Sequence, residues 1–208
     1  KILKFANHNI YLSQLEKAEV ILRATEAYEQ FMDALLIDWR NDPNSKDTPR
    51  RVAKSFVEDL IVGCYTEPPK ITTFENVSEY SGMVFSGRIE VKSICSHHAL
   101  PFFGEAYIAY IPGSDVIGLS KLNRIVEWFS RRPQIQENLT DQIAEYLNSI
   151  CSNNTGVAVM IQAQHTCTCL RGVKHNSVMI TSRLMGAFKD IPETRDEFYK
   201  FIEFTKKS

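Results

Sequence analysis

Two short runs of metal-binding side chains stand out in the sequence. The first is Cys95-Ser-His-His98, and the second, much later in the chain, is His165-Thr-Cys167. Thiolate and imidazole are ligands that Zn²⁺ prefers, so the two runs together predict a zinc site. Cys95 and His98 can converge from one turn, and Cys167 would complete a set of three ligands. A fourth position left for water is typical of catalytic zinc, which lowers the pKa of that water toward neutrality.

The same residues allow two other interpretations, a structural zinc site or no metal at all. Cys169 follows Cys167 by two positions, and in an extended chain both side chains would face the same way. A closed structural site would then have the ligands Cys95, His98, Cys167 and Cys169. His97 and His165 favour catalysis, because a purely structural site has no use for two further imidazoles beside its ligands.

The composition is that of an ordinary globular protein. Of 208 residues, 44% are hydrophobic and 24% are charged, and the formal net charge is −1. This balance argues against binding to nucleic acid or to a membrane surface, so an anionic ligand must be met by a local cluster of cations. The odd, sparse set of cysteines argues against a secreted disulfide scaffold and favours a reducing, cytoplasmic location. No apolar run approaches the ~20 residues that span a membrane.

The N-terminal part of the chain predicts helical structure. Ser13 and Glu16 form a capping box ahead of an amphipathic stripe, which predicts one long helix over 13–39. A polar, proline-containing linker follows. We therefore expect an N-terminal helical region, 1–45, and a catalytic domain, 46–208.

The second region mixes strands and helices without regular alternation. Its first helix is predicted to have Thr48 as N-cap and to end near Gly63. Apolar and alternating runs predict strands at 70–75, 83–95, 105–112, 157–163 and 177–181. Further helices are predicted at 120–130, at 134–151 and after Pro192. This order favours an α+β fold with an antiparallel sheet.

Scattered cations and one carboxylate are candidates for nucleotide binding. No glycine-rich phosphate loop is present, so side chains would have to hold a phosphate. The cations suited to a triphosphate are Arg51, Lys54, Lys121, Arg124 and Arg171. Ser120 can cap the helix that carries two of them. Glu137, beside Gln136 at another predicted helix start, either complements the helix dipole or accepts N–H bonds from a purine edge.

Several motifs together resemble the GTP cyclohydrolase I family. They are Cys95-Ser-His-His98, Gly118-Leu-Ser-Lys-Leu-Asn-Arg-Ile-Val126, Arg132-Pro-Gln-Ile-Gln-Glu137 and His165-Thr-Cys-Thr-Cys-Leu-Arg-Gly172. The earlier Asp47-Thr-Pro-Arg-Arg-Val-Ala-Lys54 and the later Thr181-Ser182 with Phe188 also fit. All of them occur in the order and spacing of that family, and the resemblance covers residues 47–204.

The resemblance implies the tunnelling fold. In that fold an antiparallel sheet carries helices on one side and follows an N-terminal helical region. Sheets of neighbouring subunits would join into a barrel, and the assembly would be a homodecamer of two stacked pentamers. Active sites would lie between subunits, which would explain why the cations are scattered along the chain.

The implied reaction is zinc-dependent hydrolysis of GTP to formate and 7,8-dihydroneopterin triphosphate, the first step of pterin and folate biosynthesis. By resemblance, Cys95, His98 and Cys167 bind the zinc, whose water attacks C8 of the guanine. His165 matches the histidine that protonates the purine nitrogen during ring opening. His97 matches the catalytic histidine near the ribose.

The resemblance also assigns the remaining site residues. Ser120 matches the serine linked to the later rearrangement of the ribose. Glu137 matches the guanine-binding carboxylate, with Gln136 beside it. The residues that match triphosphate contacts are Arg51, Lys54, Lys121, Arg124 and Arg171. Two positions depart from the family, namely Ser96, where glutamate is usual, and Cys169, where cysteine is not.

Two alternatives to the cyclohydrolase are open. One is a nitrile reductase of the queuosine pathway, which shares the fold but uses a cysteine nucleophile and NADPH without zinc. Retention of both metal-binding runs argues against it. The other is a non-catalytic nucleotide- or pterin-binding scaffold with a closed Cys₃His zinc site.

Overall fold

The structure is a computed structural model that describes residues 3–207. By its internal contacts the chain forms two compact units, Lys1–Glu67 and Pro68–Ser208. The predicted division into a helical region, 1–45, and a catalytic domain, 46–208, stays a prediction, because compactness does not test which residues carry the activity. No helix in the described part of the chain is both long enough and apolar enough to cross a membrane.

Helix α1, Gln14–Ala34, is the main element of the first unit, and the predicted capping box is confirmed. Ser13 Oγ accepts a hydrogen bond from the backbone N–H of Glu16, and the Glu16 carboxylate accepts one from the backbone N–H of Ser13 at 2.8 Å. The helix ends at Ala34 and does not reach residue 39. Leu36 adopts a left-handed backbone conformation with φ of 59°, which an α-helix cannot contain.

Helix α2, Thr48–Ser55, is shorter than predicted. Its N-cap is Asp47, so Thr48 is already the first helical residue. The predicted continuation to Gly63 breaks into a π-helical turn, Phe56–Leu60, and a 3₁₀ turn, Val62–Cys64. The apolar periodicity therefore predicted helical structure here correctly, but the segment is divided among an α-helix, a π-helical turn and a 3₁₀ turn.

The second unit contains two sheets. The strands are β1, Thr73–Glu75; β2, Val84–Cys95; β3, Pro101–Ile111; β4, Asp115–Ile117; β5, Pro133–Gln134; β6, Gly156–His165; and β7, Val178–Gly186. Strands β1 and β4 form a small antiparallel pair. The main sheet has the order β5-β2-β3-β6-β7, and its four long strands are antiparallel as predicted. The two-residue strand β5 pairs parallel with β2, so the main sheet is mixed, whereas the prediction was an antiparallel sheet.

Helices connect and flank these strands. They are α3, Leu119–Ser130; α4, Gln136–Ile150; α5, Thr166–Cys169; α6, Ala187–Asp190; and α7, Pro192–Lys207. The α+β class is thereby confirmed. The longer helices agree with the predicted ones to within a few residues, whereas the short helices α5 and α6 carry too little periodicity to be predicted from sequence.

One face of the main sheet is covered by α3 and α4. Because successive residues of a strand point to opposite faces, Ile108 and Tyr110 of β3 share one side of the sheet. Both are fully buried, and they belong to one hydrophobic cluster with Ile125 of α3 and Ile143 of α4. This cluster is the larger core of the unit.

The opposite face is covered as well. Tyr107 and Ala109 of β3 form a second cluster with Phe188 of α6 and with Phe198 and Ile202 of α7. Helices therefore lie on both faces of the sheet, and the prediction of helices on one side is wrong. The middle of β3 is apolar at every position, and such a run is typical of a strand that is buried on both faces.

The hydroxyl of Tyr107, a residue of the second cluster, is hydrogen-bonded to a charged pair at the surface. Tyr107 Oη donates to Glu105 Oε2 at 2.6 Å, and Arg88 Nε lies 3.2 Å from Glu105 Oε1. Burial, together with the adjacent carboxylate, raises the pKa of Tyr107 to about 12. The hydrogen bond from Tyr107 in turn lowers the pKa of Glu105.

Replacing Tyr107 with phenylalanine should lower the free energy of unfolding by about 1 kcal/mol, because the buried ring stays but its hydrogen bond is lost. Chemical denaturation followed by circular dichroism measures the difference. Tyr199→Phe is the control, since Tyr199 is 37% exposed and surface changes usually stay within about 0.5 kcal/mol.

The same variant should respond less to acid. The pKa of Glu105 is lower in the folded protein, so its contribution is complete above the ordinary value of 4.5 and is lost as pH falls through the lower folded value. The stability difference between the protein and Tyr107→Phe should therefore shrink in acid. A difference that grows as pH falls would contradict this assignment.

Candidate active site

The turn between β2 and β3 presents the first metal-binding run. Cys95, the last residue of β2, donates its backbone N–H to Leu100 at 2.8 Å, and Ala99 donates to the Cys95 carbonyl at 2.8 Å. Ala99 has a left-handed backbone with φ of 55°, a conformation that is uncommon for residues other than glycine. These contacts close a tight turn that holds His97 and His98 immediately beyond the Cys95 thiol.

Cys167 reaches this turn from another part of the sheet. It lies on α5, directly after β6, and β6 runs beside β3. The Cys95 sulfur, the Cys167 sulfur and a ring nitrogen of His98 all lie within 4.8 Å of one another. Both cysteines are buried, whereas His98 is exposed. The predicted ligand set is therefore assembled by the fold, and a group of this kind can hold a metal ion.

Cys169 does not join this group. The prediction that it faces the same way as Cys167 assumed an extended chain, but Thr166–Cys169 is helical. Side chains two positions apart on a helix do not face each other. Among the described residues, the group that could hold a metal ion consists of Cys95, His98 and Cys167. The closed Cys₃His site is thus not formed, because local helical geometry turns its fourth ligand away.

The surroundings of Cys167 bias its thiol toward the neutral form. Burial raises the pKa of its thiol, and the neighbouring Cys95 raises it further, while Arg171 acts in the opposite direction. Two adjacent buried thiols are costly to ionise together in the absence of a positive charge. A divalent metal ion would supply that charge and favour the thiolates.

His165 is held on two sides at the end of β6. It pairs with Phe102 across β3 and β6, and the two rings stack with centroids 4.4 Å apart and planes 12° apart. Its Nε2 lies 2.9 Å from Oε1 of Gln136, the first residue of α4. Burial lowers the pKa of His165, and the negative charge of Glu137 acts in the opposite direction. The imidazole is therefore fixed in position and partly withdrawn from solvent.

A cavity of about 440 Å³ lies beside these groups. It is lined by Cys95, His97, Ile135, Gln136, Glu137, His165, Cys167, Thr168, Ser177, Val178 and Met179. This volume is within the range of small-molecule sites, which combine apolar walls with a few polar groups. The structure therefore brings His97, Gln136, Glu137 and His165 together with two of the predicted metal ligands.

Part of the cavity wall was not predicted from the sequence. Ile135 and Thr168 are neighbours of predicted residues, but Val178 and Met179 begin β7 and Ser177 immediately precedes it. Only the pairing of strands in the sheet indicates that these residues belong to the site. Val178 is paired with Gln164, next to His165, so the pairing of β6 with β7 places it at the site. That pairing cannot be read from a single strand.

Other predicted residues lie elsewhere in the second unit. Ser120, Lys121 and Arg124 are on the first turns of α3, and Arg171 follows α5. Of the residues that the structure describes, these do not line the cavity within one chain. The N-cap of α3 is Gly118, so the predicted capping by Ser120 is wrong.

Arg51 and Lys54 lie on α2 in the first unit. Arg51 Nη2 is 3.3 Å from Asp47 Oδ2, and Lys54 Nζ is 3.6 Å from Glu58 Oε2. Both ion pairs are exposed, and such pairs contribute little to stability. Either cation can therefore leave its carboxylate for a phosphate at small cost.

Comparisons with known proteins identify the family. The profile of the GTP cyclohydrolase I family matches residues 24–203. A GTP cyclohydrolase 1 from Sulfurihydrogenibium sp. (strain YO3AOP1) is 45% identical over 183 residues, covering 86% of this chain and 95% of that protein. One from Flavobacterium johnsoniae is 42% identical over 187 residues, covering 89% and 82%. "GTP cyclohydrolase 1 1" of Pseudomonas aeruginosa is 42% identical over 194 residues, covering 86% and 98%.

Among solved structures, the archaeosine synthase QueF-Like in the apo form is similar to 48% of this chain and 91% of its own, with 16% identity and a TM-score of 0.39. That likeness is too weak to support an inference. The match to the family profile and the identity to these relatives extend over most of the sequence. The chain belongs to the GTP cyclohydrolase I family.

Proposed function

We propose that this protein catalyses the GTP cyclohydrolase I reaction, in which GTP is hydrolysed to formate and 7,8-dihydroneopterin triphosphate. The main support for this proposal is that a group of potential metal ligands lies at the same cavity as His165 and Glu137. The three potential metal ligands lie within 4.8 Å of one another. Two of them line the same cavity as His165 and Glu137. The product is the starting compound of pterin and folate biosynthesis.

The donor set fits zinc. Two thiols and one imidazole are the ligand types of a Cys₂His site, and a set of three leaves a coordination position for water. When bound, Zn²⁺ acts as a Lewis acid and lowers the pKa of water toward neutrality. Cys95 and Cys167 would hold it from the buried side, and His98 from the exposed side.

His165 is suited to move a proton at the purine ring. It lines the cavity, and the Phe102 ring and the Gln136 carboxamide limit its rotation. A fixed imidazole can give its proton to the purine nitrogen as the ring opens, which is general acid catalysis. His97, which also lines the cavity, would act near the ribose. Ser120 would take part in the later rearrangement of the ribose.

Glu137 is suited to bind the guanine edge. It is exposed, lies in the first turn of α4 and lines the cavity. A carboxylate there can accept two N–H bonds from the guanine, and such charge-assisted bonds are short and strong. The apolar side chains of Ile135, Val178 and Met179 provide walls for a planar base. Gln136 was predicted to bind guanine beside Glu137, and that role remains a prediction.

The proposed function also requires cations that bind the triphosphate, and an assembly of subunits that brings them to the site. The cations assigned to the triphosphate are Arg51, Lys54, Lys121, Arg124 and Arg171. Most of them are exposed, and a neighbouring subunit could supply some of them to each site. β7 is an edge strand with Val178 52% and Ile180 58% exposed, and an apolar edge strand is a template for pairing with another chain. We therefore propose that sheets of neighbouring subunits join into a barrel, in a homodecamer of two pentamers.

The alternatives have less support. A scaffold with a closed Cys₃His site requires Cys169 as a ligand, but Cys169 lies outside the group of three. A nitrile reductase without zinc would have no need of that group.

The direct test is turnover. Metal-loaded protein incubated with GTP should release formate and develop the absorbance of a pterin, and a chelator should abolish both. Formate is quantified enzymatically and the pterin by its absorbance spectrum. Protein that contains zinc but produces neither compound would contradict the proposed function.

The role of His165 has its own test. His165→Ala should keep its zinc and lose at least about 10²-fold in kcat, the usual contribution of a positioned acid or base. Metal content and steady-state kinetics are measured on the same preparation. His8→Ala is the control, because no role is assigned to His8. A variant that retains most of its activity would refute the assignment.

The metal ligands are tested by a pair of cysteine variants. Cys95→Ser should lose at least about tenfold in zinc affinity, because even residues that only support metal ligands contribute about that much. Cys169→Ser, the matched control, should bind zinc like the unmodified protein. His98→Ala removes an exposed ligand and should act like Cys95→Ser. Equal zinc binding by the two cysteine variants would exclude the proposed ligand set.

A further inference from the structure

Gln136 is a buried polar side chain whose carboxamide is used entirely within the protein. The residue is 1% exposed. Its Nε2 lies 3.0 Å from the Ile161 carbonyl oxygen, 3.1 Å from the Met179 carbonyl oxygen and 3.1 Å from Thr181 Oγ1. A buried amide must satisfy its hydrogen bonds, since each unpaired polar group is costly. These contacts therefore hold Gln136 in one orientation.

The direction of each hydrogen bond in this group can be assigned. Thr140 Oγ1 donates to the backbone oxygen of Gln136 at 2.8 Å, which uses its only hydrogen. Thr140 and Thr181 share a hydrogen bond of 2.6 Å between their hydroxyls, so Thr181 is its donor. Thr181 then has no hydrogen left for Gln136 and can only accept, so the two hydrogens of Gln136 Nε2 face three acceptors. The two carbonyl oxygens can only accept as well.

The carboxamide oxygen of Gln136 must consequently face His165. In the flipped orientation this oxygen would lie against two carbonyl oxygens, and all three groups would be acceptors. In the orientation that the bonds require, Oε1 lies 2.9 Å from His165 Nε2. Because Oε1 can only accept, Nε2 carries the hydrogen and donates it.

This assignment selects the tautomer of the imidazole. The partner of one ring nitrogen decides which nitrogen of a neutral histidine is protonated. With the hydrogen on Nε2, Nδ1 is the ring nitrogen that carries the lone pair in the neutral imidazole. Phe102 stacks on the ring at 4.4 Å and restrains its plane. The ring therefore has one fixed donor and a restrained plane.

We propose that Gln136 is a positioning residue that holds His165 as the Nε2–H tautomer, so that His165 meets the substrate through Nδ1. Thr140 and Thr181 orient Gln136 and belong to the same hydrogen-bond network. The catalytic part of this inference rests on the proposed role of His165. It gives Gln136 a task other than direct contact with the guanine, and it predicts an effect on kcat with little effect on KM.

The tautomer is tested by nuclear magnetic resonance on zinc-loaded protein with ¹⁵N-labelled histidine, at mildly alkaline pH, where a free imidazole is neutral. The His165 signals, identified by their absence in His165→Ala, should have the pattern of an Nε2–H tautomer. In Gln136→Met, which keeps the length of the side chain but removes the acceptor, the two tautomers should mix. An Nδ1–H tautomer in the unmodified protein, or an unchanged pattern in Gln136→Met, would overturn the proposal.

The kinetic test separates positioning from substrate binding. Gln136→Met should lower kcat by at least about tenfold and leave KM for GTP within about twofold, the pattern expected when a misplaced catalytic group slows chemistry alone. A raised KM at unchanged kcat would instead make Gln136 a ligand of the substrate. Gln142→Met, in the same helix, is the control, because its side chain bonds to Gln134 and not to His165.

A milder variant keeps the proposal testable if Gln136→Met does not fold. Thr181→Val preserves the shape of the side chain and removes only the hydroxyl that orients the carboxamide. Like Gln136→Met, it should mix the two tautomers of His165 and lower kcat, but both effects should be smaller. An unchanged tautomer and an unchanged kcat would count against the proposed network. Zinc content is measured on every variant, so that loss of metal is distinguished from loss of orientation. The tautomer readout does not depend on turnover and remains valid if GTP proves not to be the substrate.

Discussion

The pairing register of β3 is the constraint on which the site depends. β3 lies between β2 and β6, and in this register Phe102 is opposite His165. The turn that precedes β3 carries Cys95 and the two histidines, while Cys167 directly follows β6. A shift of one residue would turn every side chain of a strand to the other face. The large buried residues on both faces of β3 oppose such a shift, and packing far from the site thereby fixes the distances within it.

The polar groups of the site are costly for the fold to bury. Burial raises the pKa of Cys167 and lowers that of His165, so each group is biased toward its neutral form. A metal ion would offset the first cost by stabilising thiolates. The cost of burying His165 is offset within the protein, because Gln136 accepts a hydrogen bond from His165 and is itself held by the hydroxyl of Thr181. Such fully bonded networks are rigid, and rigidity suits a group that must present one nitrogen to a substrate.

Several features were predictable because their causes are local. The capping box at Ser13 needs only two side chains one helical turn apart, and the structure contains it. The group of potential metal ligands was predictable because its residue types are distinctive, and the structure brings its three members together. Errors arose where the local reading assumed a backbone shape. Cys169 was placed beside Cys167 by assuming an extended chain, and Ser120 was assigned a cap that Gly118 occupies.

The sequence by itself determined the α+β class, the family and the ligand types, since these depend on residue identity, order and spacing. Only the tertiary structure decided which of those residues meet. Strand pairing between β6 and β7 brought Ser177–Met179 to the cavity, and the apolar run of β3 received helices on both faces. The buried bonds of Gln136 also join segments far apart in sequence. Contacts of this kind arise from packing that is shared among several elements, and no single segment of the chain encodes them.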